Sequence, residues 1–561
     1  MLRPCYLKYP ALFDIFTGMN YFTLPLFFAV SCCLCCACVH GQTTIVVQQG
    51  EKWFGGAVND AHLMPFQNGY AFDMNGDTRG NQAAPLLIST KGRFIWSEAP
   101  FTFRFGQDTL QITGAKAGLT IDSTAGNLRQ AFLRASKRFF PAKNKTPDTL
   151  LFSRPQYNTW IELVYNQNER DILAYARAIV DHGFPAGVIM IDDNWADYYG
   201  RFDFRHDRFE HAAAMIDTLH QLGFKVMLWV SPFVSPDTEV FRDLLSKKLL
   251  LFSAGGDTSL VWAKAQKPVI VPWWNGYSAV LDLTNPGAAT WFTGRLNYMR
   301  STYHLDGFKF DAGDAEFYPA DALSYSKASP NEQSRLWGEI GLQFPLNEYR
   351  AMWKMGGEPL VERLRDKQHT WVDLQKLIPH ITTAGLLGYQ FTCPDMIGGG
   401  EFGSFRDRGK LDEELIVRSA ACSALMPMMQ FSVAPWRVLS DSNLRIVQQM
   451  VAIRKAYTPY ILELARSAAV SGEPIVRSME YAFPGQGFSE EKGQFMLGGR
   501  FLVAPVLTKD GEKTVTLPKG RWRDDKGRVL KGPCQVRERV PLDRLPVYER
   551  IGPLPMLSQH K

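Results

Sequence analysis

Gly307–Asp314, GFKFDAGD, sets an apolar run of strand length directly before a carboxylate and a turn of small residues. The same form recurs on both sides of it. GVIMIDD (Gly187–Asp193), KVMLWVSPF (Lys225–Phe233) and GYQFTCPDM (Gly388–Met396) are apolar runs that give way to polar loops, and between the first two lies the helix-patterned AAAMIDTLHQLG (Ala212–Gly223). Apolar strands buried on both faces and alternating with amphipathic helices are the mark of a parallel sheet. Sustained over residues 151–440, with the rhythm clearest from Pro155 to Arg437, the alternation predicts a (β/α)8 barrel. Catalytic groups of such a barrel come from the C-terminal ends of its strands, so Asp192, Asp193, Asp311 and Asp395 are the first carboxylates to consider.

Outward from the barrel the pattern changes. Residues 42–150 hold short β-patterned segments, TTIVVQQ, PLLIST, RFIWSE and FTFRFG, broken by Gly, Asn and Asp, which predicts an N-terminal β-rich domain. Residues 441–561 begin with the helical VQQMVAIRKAYTPYILELA and continue through GRFLVAPVL, KTVTLP and PVYERIG, a helical connection and then a C-terminal β-sandwich. The fold class is therefore α/β, a TIM barrel flanked by two β-domains, and no internal repeat or low-complexity linker interrupts it. A length of 561 residues fits such a plan, given roughly 150 residues per ordinary domain and more for a barrel.

Six of the nine cysteines fall in the first 38 residues, within or before MNYFTLPLFFAVSCCLCCACVHGQ (Met19–Gln42). This run reads as a signal peptide over residues 1–41, with cleavage before Gln42 and Met1 or Met19 as the start. Export to the periplasm or the medium follows, with no transmembrane span in the mature protein; a lipid anchor at Cys32 or Cys38 is the alternative. Cys393, Cys422 and Cys534 are too few for a disulfide framework.

The net charge of +6 arises from 62 basic and 56 acidic residues without a basic block, which argues against nucleic acid. The histidines lack ligand spacing, and Gly398-Gly399-Gly400 lacks the lysine and helix of a phosphate loop, so neither metal nor cofactor is expected. Aromatic residues make up 13% of the chain; the apolar C–H faces of sugar rings stack on such side chains, although most of them belong to the core. An oligosaccharide or glycoside is the expected partner, and oligomeric state is left open.

A second motif joins GFKFDAGD. NEYR ends at Arg350, and PLVERLRDKQHTW follows with Asp366 placed 16 residues beyond that arginine. Together these motifs resemble glycoside hydrolase family 31, and within it the branch that includes the myogenesis-regulating glycosidase. The resemblance continues through IDDNWADYYGRFDF (Ile191–Phe204), WVSPFV (Trp229–Val234), WWNGYSAVLDLTNP (Trp273–Pro286), GYQFTCPDMIGG (Gly388–Gly399), MPMMQFSVAPWR (Met426–Arg437), GEPIVR and FLVAPVL. It implies a retaining α-glycosidase with Asp311 as nucleophile and Asp366 as general acid/base. It also implies substrate contacts from Asp192, Asp193, Lys309, Arg350, Trp274 and Asn275, the last two pointing to α-galactosides, with α-glucosides or transglycosylation as alternatives.

The residue types fit that chemistry. Retaining glycosidases need one carboxylate to attack the anomeric carbon and a second carboxyl to protonate the leaving oxygen. Asp311 beside Lys309 stays ionised, whereas Asp366 needs desolvation or a nearby anion to hold a proton. Arg365 and Lys367 flank Asp366, and alternation predicts that they point away. Trp229 and Trp273 read as wall or core, and Asp395 as pocket wall or turn former. N-caps for Asp192 or Asp193 and a structural ion pair for Arg350 are the plainer readings. A non-catalytic sugar-binding barrel is the rival of another class, but such a protein need not keep both aspartates.

Overall fold

The computed structural model describes residues 41–254, 267–407 and 411–552. The expected signal peptide, with both candidate start codons, Cys32 and Cys38, lies outside the described residues but for Gly41.

Eight short strands form one parallel sheet: β1 (Gln156–Asn158), β2 (Val188–Ile191), β3 (Lys225–Val230), β4 (Gly307–Phe310), β5 (Asn347–Tyr349), β6 (Glu362–Arg363), β7 (Thr392–Cys393) and β8 (Gln430–Phe431). Each pairs in parallel with its predecessor through β7, and β8 pairs with β1, so the sheet curls into a nearly closed barrel. Helices such as Glu169–Asp181, Ala212–Gln221 and Pro286–Tyr303 return the chain between strands, and their apolar faces are buried. The period of two sets side-chain direction within each strand. In β4, Phe308 and Phe310 pack outward on Phe344, Trp337 and Tyr349, which leaves Lys309 and the following Asp311 facing inward.

The region before the barrel forms two antiparallel sheets. One orders Thr43–Val46, Thr109–Thr113, Thr102–Phe105 and Ala71–Asp73; the other is built on Gln82–Ser89, the longest strand of the region. That second sheet is not self-contained. Met352–Trp353, just past β5, adds a parallel strand to it, with Met352 opposite Gln82 and Trp353 opposite Ala83. The sequence-predicted β-rich region also contains a helix, Leu128–Phe139, started by a capping box between Asn127 and Gln130.

Beyond the barrel, helix Asp441–Ser471 ends on Gly472 in the left-handed conformation and leads to a β-sandwich of six antiparallel strands. Its own core includes Met479, Phe483, Met496, Val515, Trp522 and Tyr548. Strand Glu512–Asp524 shifts register between Leu517 and Gly520 against Val529–Arg539, and its end, Arg521–Asp524, also pairs with Val547–Ile551 on the other edge. Cys393 and Cys422 are buried free thiols, and Cys534 is half-buried. Among the described residues no helix is long and apolar enough to cross a membrane.

Candidate active site

The C-terminal ends of the strands open on a cavity of about 580 Å³, and Asp192, Asp193, Trp274, Lys309, Asp311, Arg350 and Asp366 all line it. Asn275 stands one step behind this wall.

Asp311 follows β4 directly. Its Oδ1 accepts from Arg350 Nε at 2.7 Å and from the Ala312 N–H at 2.9 Å, and its Oδ2 accepts from Trp229 Nε1 at 2.9 Å. Lys309 Nζ lies 3.9 Å from Oδ2. Burial alone would raise the pKa of this carboxyl, but Arg350, Lys309, Arg363 and the Trp229 bond outweigh it and hold the group well below the usual carboxylate range. The turn after it is tight: Ala312 adopts φ 57°, and a Cβ on Gly313 would fall 1.7 Å from Trp337 Cδ1. Only glycine lets the chain pass there.

Arg350 is shared. Besides Asp311 it bonds Asp314 through Nη1 at 2.8 Å and Nη2 at 2.5 Å, donates to the Gly80 carbonyl at 2.7 Å, and carries the Trp274 ring 5.1 Å from its guanidinium carbon. Lys309 Nζ donates to Asp192 Oδ2 at 2.7 Å inside the barrel. Burial would lower the lysine pKa, yet Asp192, Asp311 and Glu348 outweigh it and raise the value. Asp192 and Asp193 are thus not helix caps; both point into the polar mouth.

Strand pair Ile270–Trp273 and Gly276–Val280 is a hairpin in which Trp273 opposes Gly276, so Trp274 and Asn275 form its two-residue turn. Trp274 is 47% exposed at this tip. The Asn275 amide nitrogen donates to Asp193 Oδ2 and, at 2.9 Å, to the Tyr199 hydroxyl, while its oxygen accepts from Tyr165 at 2.9 Å. Both ends of the amide are engaged, so Asn275 orients Asp193, which also accepts from Tyr199 at 3.0 Å. Burial, with the charges of Asp192 and Asp311 adding to it, pushes the Asp193 carboxyl up to about 7.

Asp366 stands just beyond β6 with its side chain 31% exposed, and its Oδ1 accepts from Arg363 Nη1 at 2.5 Å. The same Nη1 reaches Asp395 Oδ1 at 3.1 Å. Asp395 Oδ2 accepts from the backbone N–H groups of Lys367 and Gly400, so of its two sequence readings the structure gives the loop-forming one. Burial and the charge of Asp366 push Asp395 up to about 7.

Several contributors escape sequence reasoning. Trp229, read as wall or core, donates to Asp311, whereas Trp273 is core, with Nε1 bonded to Ser278 at 3.1 Å. Arg365 and Lys367 both line the cavity instead of pointing away, because β6 is two residues long and strand alternation has lapsed before it reaches them. Asn81 Nδ2 donates to the carbonyls of Arg350 and Arg363 at 2.6 and 3.1 Å, and Gln82 Nε2 to the same pair at 2.9 and 3.1 Å. The N-terminal region therefore pins the ends of β5 and β6, a long-range contact with no local signal in the sequence. Among the described residues no group of three or more His, Cys, Asp or Glu side chains is arranged to hold a metal.

Residues 151–356 match the model of the glycosyl hydrolases family 31 TIM-barrel domain, and residues 472–554 that of the glycosyl hydrolase family 31 C-terminal domain. The chain belongs to glycosyl hydrolase family 31. It is 34% identical to the myogenesis-regulating glycosidase of Mus musculus over 407 residues, which cover 70% of this chain and 55% of that protein. It is 27% identical to an alpha-xylosidase of Emericella nidulans over 554 residues, 90% of this chain and 66% of the relative. The chain thus spans between about half and two thirds of the length of these two relatives. Among solved structures, a family 31 dextranase of Flavobacterium johnsoniae complexed with glucose superposes with a TM-score of 0.78 at 20% identity, over 91% of this chain and 66% of that one. At that identity the likeness speaks for the fold.

Proposed function

We propose that this family 31 protein is a retaining α-glycosidase acting on terminal α-linked hexose, α-galactosides first. The observation that carries the reading is the contrast between the two carboxyls on one cavity. Asp311 is buried, fixed by Arg350 and Trp229 and held ionised, as a nucleophile must be; Asp366 is partly exposed on the loop after β6, as a group trading protons with a leaving oxygen and with water must be. Asp311 attacks the anomeric carbon while Asp366 protonates the departing oxygen. Water deprotonated by Asp366 then releases the glycosyl group with its α configuration kept. Lys309, Asp192 and Arg350 fix the nucleophile and bond sugar hydroxyls.

The galactoside preference rests on Asp193. Held by Asn275 and Tyr199 near the Trp274 tip and poised close to neutrality, this carboxyl can accept from or donate to an axial hydroxyl. A buried polar group left unpaired by the wrong epimer costs about 1–3 kcal/mol. The test is a panel of aryl α-galactoside, α-glucoside and α-xyloside. The galactoside should be cleaved best, and Asn275→Ala should erode that preference by loosening Asp193; equal or better cleavage of the glucoside by the unmodified enzyme overturns the sugar reading and leaves the mechanism standing. Transfer to a second sugar in place of water uses the same carboxylates and would appear in the product analysis of this panel.

A further inference from the structure

The wall on the Asp366 side differs in chemistry from the wall around Asp311. Arg365, Lys367, Lys376, His62 and His380 line it. His62 and Lys376 also border a second cavity of about 520 Å³ between helix Trp371–Leu386 and the C-terminal sandwich, where Lys492 and Lys513 stand. Because the departing group lies on the side of the general acid, this is the aglycone path. Basic side chains follow it throughout.

Most of these cations are held by neutral oxygens. Arg365 Nη1 donates to the Arg79 carbonyl at 3.3 Å, Lys367 Nζ to that of Arg365, Lys492 Nζ to that of His62 at 2.8 Å, and Lys513 Nζ to that of Gly493. Among the described residues no carboxylate forms an ion pair with any of the four. Lys376 alone is paired, with Asp373 at 2.6 Å. The carboxylates facing the path are Asp366 itself, Asp373, Glu401 on the Trp160 side, and Glu491 and Glu512 in the second cavity.

His380 adds an independent observation. It is buried, its Nε2 lies 3.3 Å from His62 Nδ1, and its Nδ1 has no hydrogen-bond partner. His62 Nδ1 also faces the Asn59 carbonyl at 3.1 Å, an acceptor, so that nitrogen carries the proton and His380 Nε2 accepts. A neutral His380 then has its own proton on Nδ1, a buried donor without an acceptor.

We propose that the leaving-group side of the site is a subsite for an anionic aglycone, a sugar bearing a carboxylate or a sulfate, recognised by Arg365, Lys367 and Lys376, with the His62–His380 pair in its wall. The inference rests on the glycosidase reading and names its substrate class. Arg365 and Lys367 bond backbone carbonyls and, among the described residues, form no ion pair, so an anionic aglycone would give each a charged acceptor.

The experiment compares three disaccharides, α-galactosyl-glucose and its counterparts with glucuronate or glucose 6-sulfate as aglycone, together with the matching α-glucosyl set. For the cleaved sugar series, kcat/KM for at least one anionic aglycone should exceed that of the neutral one by about tenfold and the advantage should shrink with added salt. Arg365→Gln and Lys376→Gln should each lower the anionic-to-neutral ratio several-fold. The two anions separate a carboxylate site from a sulfate site. Equal or better cleavage of the neutral aglycone overturns the proposal, as does a ratio unmoved by both variants. Cleavage confined to the glucosyl set would overturn the galactoside reading alone. If neither set is cleaved the glycosidase reading fails, and calorimetric titration of glucuronate, glucose 6-sulfate and glucose into the unmodified protein still decides the anion site, tighter binding of neither anion overturning it.

Discussion

Asp311 is ionised because cations and one indole N–H surround it, and each of those partners can be removed singly. Trp229→Phe keeps the ring and deletes the hydrogen bond to Oδ2. A bond to a charged group is worth about 1.5–3 kcal/mol, so turnover should fall roughly 10- to 100-fold while the melting temperature changes little. A variant with unchanged kcat would show that the indole is wall alone. Asp193 offers the complementary case, a carboxyl that keeps its proton. Its ordinary pKa is 3.8 and its folded value is about 7, so between these the folded chain binds a proton that the unfolded chain has released. Stability from this group is full below the ordinary value and is lost as pH rises through about 7. Melting temperature should therefore drop between about pH 4 and pH 7, and Asp193→Asn should flatten part of that drop; Asp395, displaced in the same direction, accounts for a remainder. A slope identical in the Asn variant would contradict the assignment.

At the scale of elements, the turn after β4 is the tightest piece of the site. Gly313→Ala drives a Cβ into the Trp337 ring, and overpacking of that kind costs about 1–3 kcal/mol, which a thermal melt would register. The strands that carry the site were legible in the sequence because each ends an apolar run on a carboxylate: β2 before Asp192 and Asp193, and β4 before Asp311. Alternation does not reach Arg365 and Lys367, because β6 is too short for it to extend past the strand. The sequence leaves Asp395 open to two readings, since a loop residue's partners, here the backbone of Lys367 and Gly400, have no periodic signature. The hairpin tip was found only through resemblance to relatives. What Asn275 touches, Asp193, Tyr199 and Tyr165, is decided by three distant segments meeting above the barrel.

At the scale of the molecule, the N-terminal region is part of the frame of the candidate site. Asn81 and Gln82 hold the carbonyls of Arg350 and Arg363, the two arginines that bond Asp311 and Asp366, so one pair of amides sets the spacing between the carboxyl-bearing loops. Asn81→Ala should lower kcat by more than its stability loss of about 1 kcal/mol explains, and an unchanged kcat would confine Asn81 to packing. Export is a separate proposal from the leader, and mass spectrometry of secreted material should find an N-terminus at or near Gln42. The central claim is that Asp311 forms the covalent intermediate. Incubation with a fluorinated α-galactosyl fluoride that slows the second step, followed by peptide mapping, should place one sugar mass on the peptide carrying Asp311, with none on Asp311→Asn. A label on another carboxyl, or a β-configured first product seen by NMR, would contradict the account.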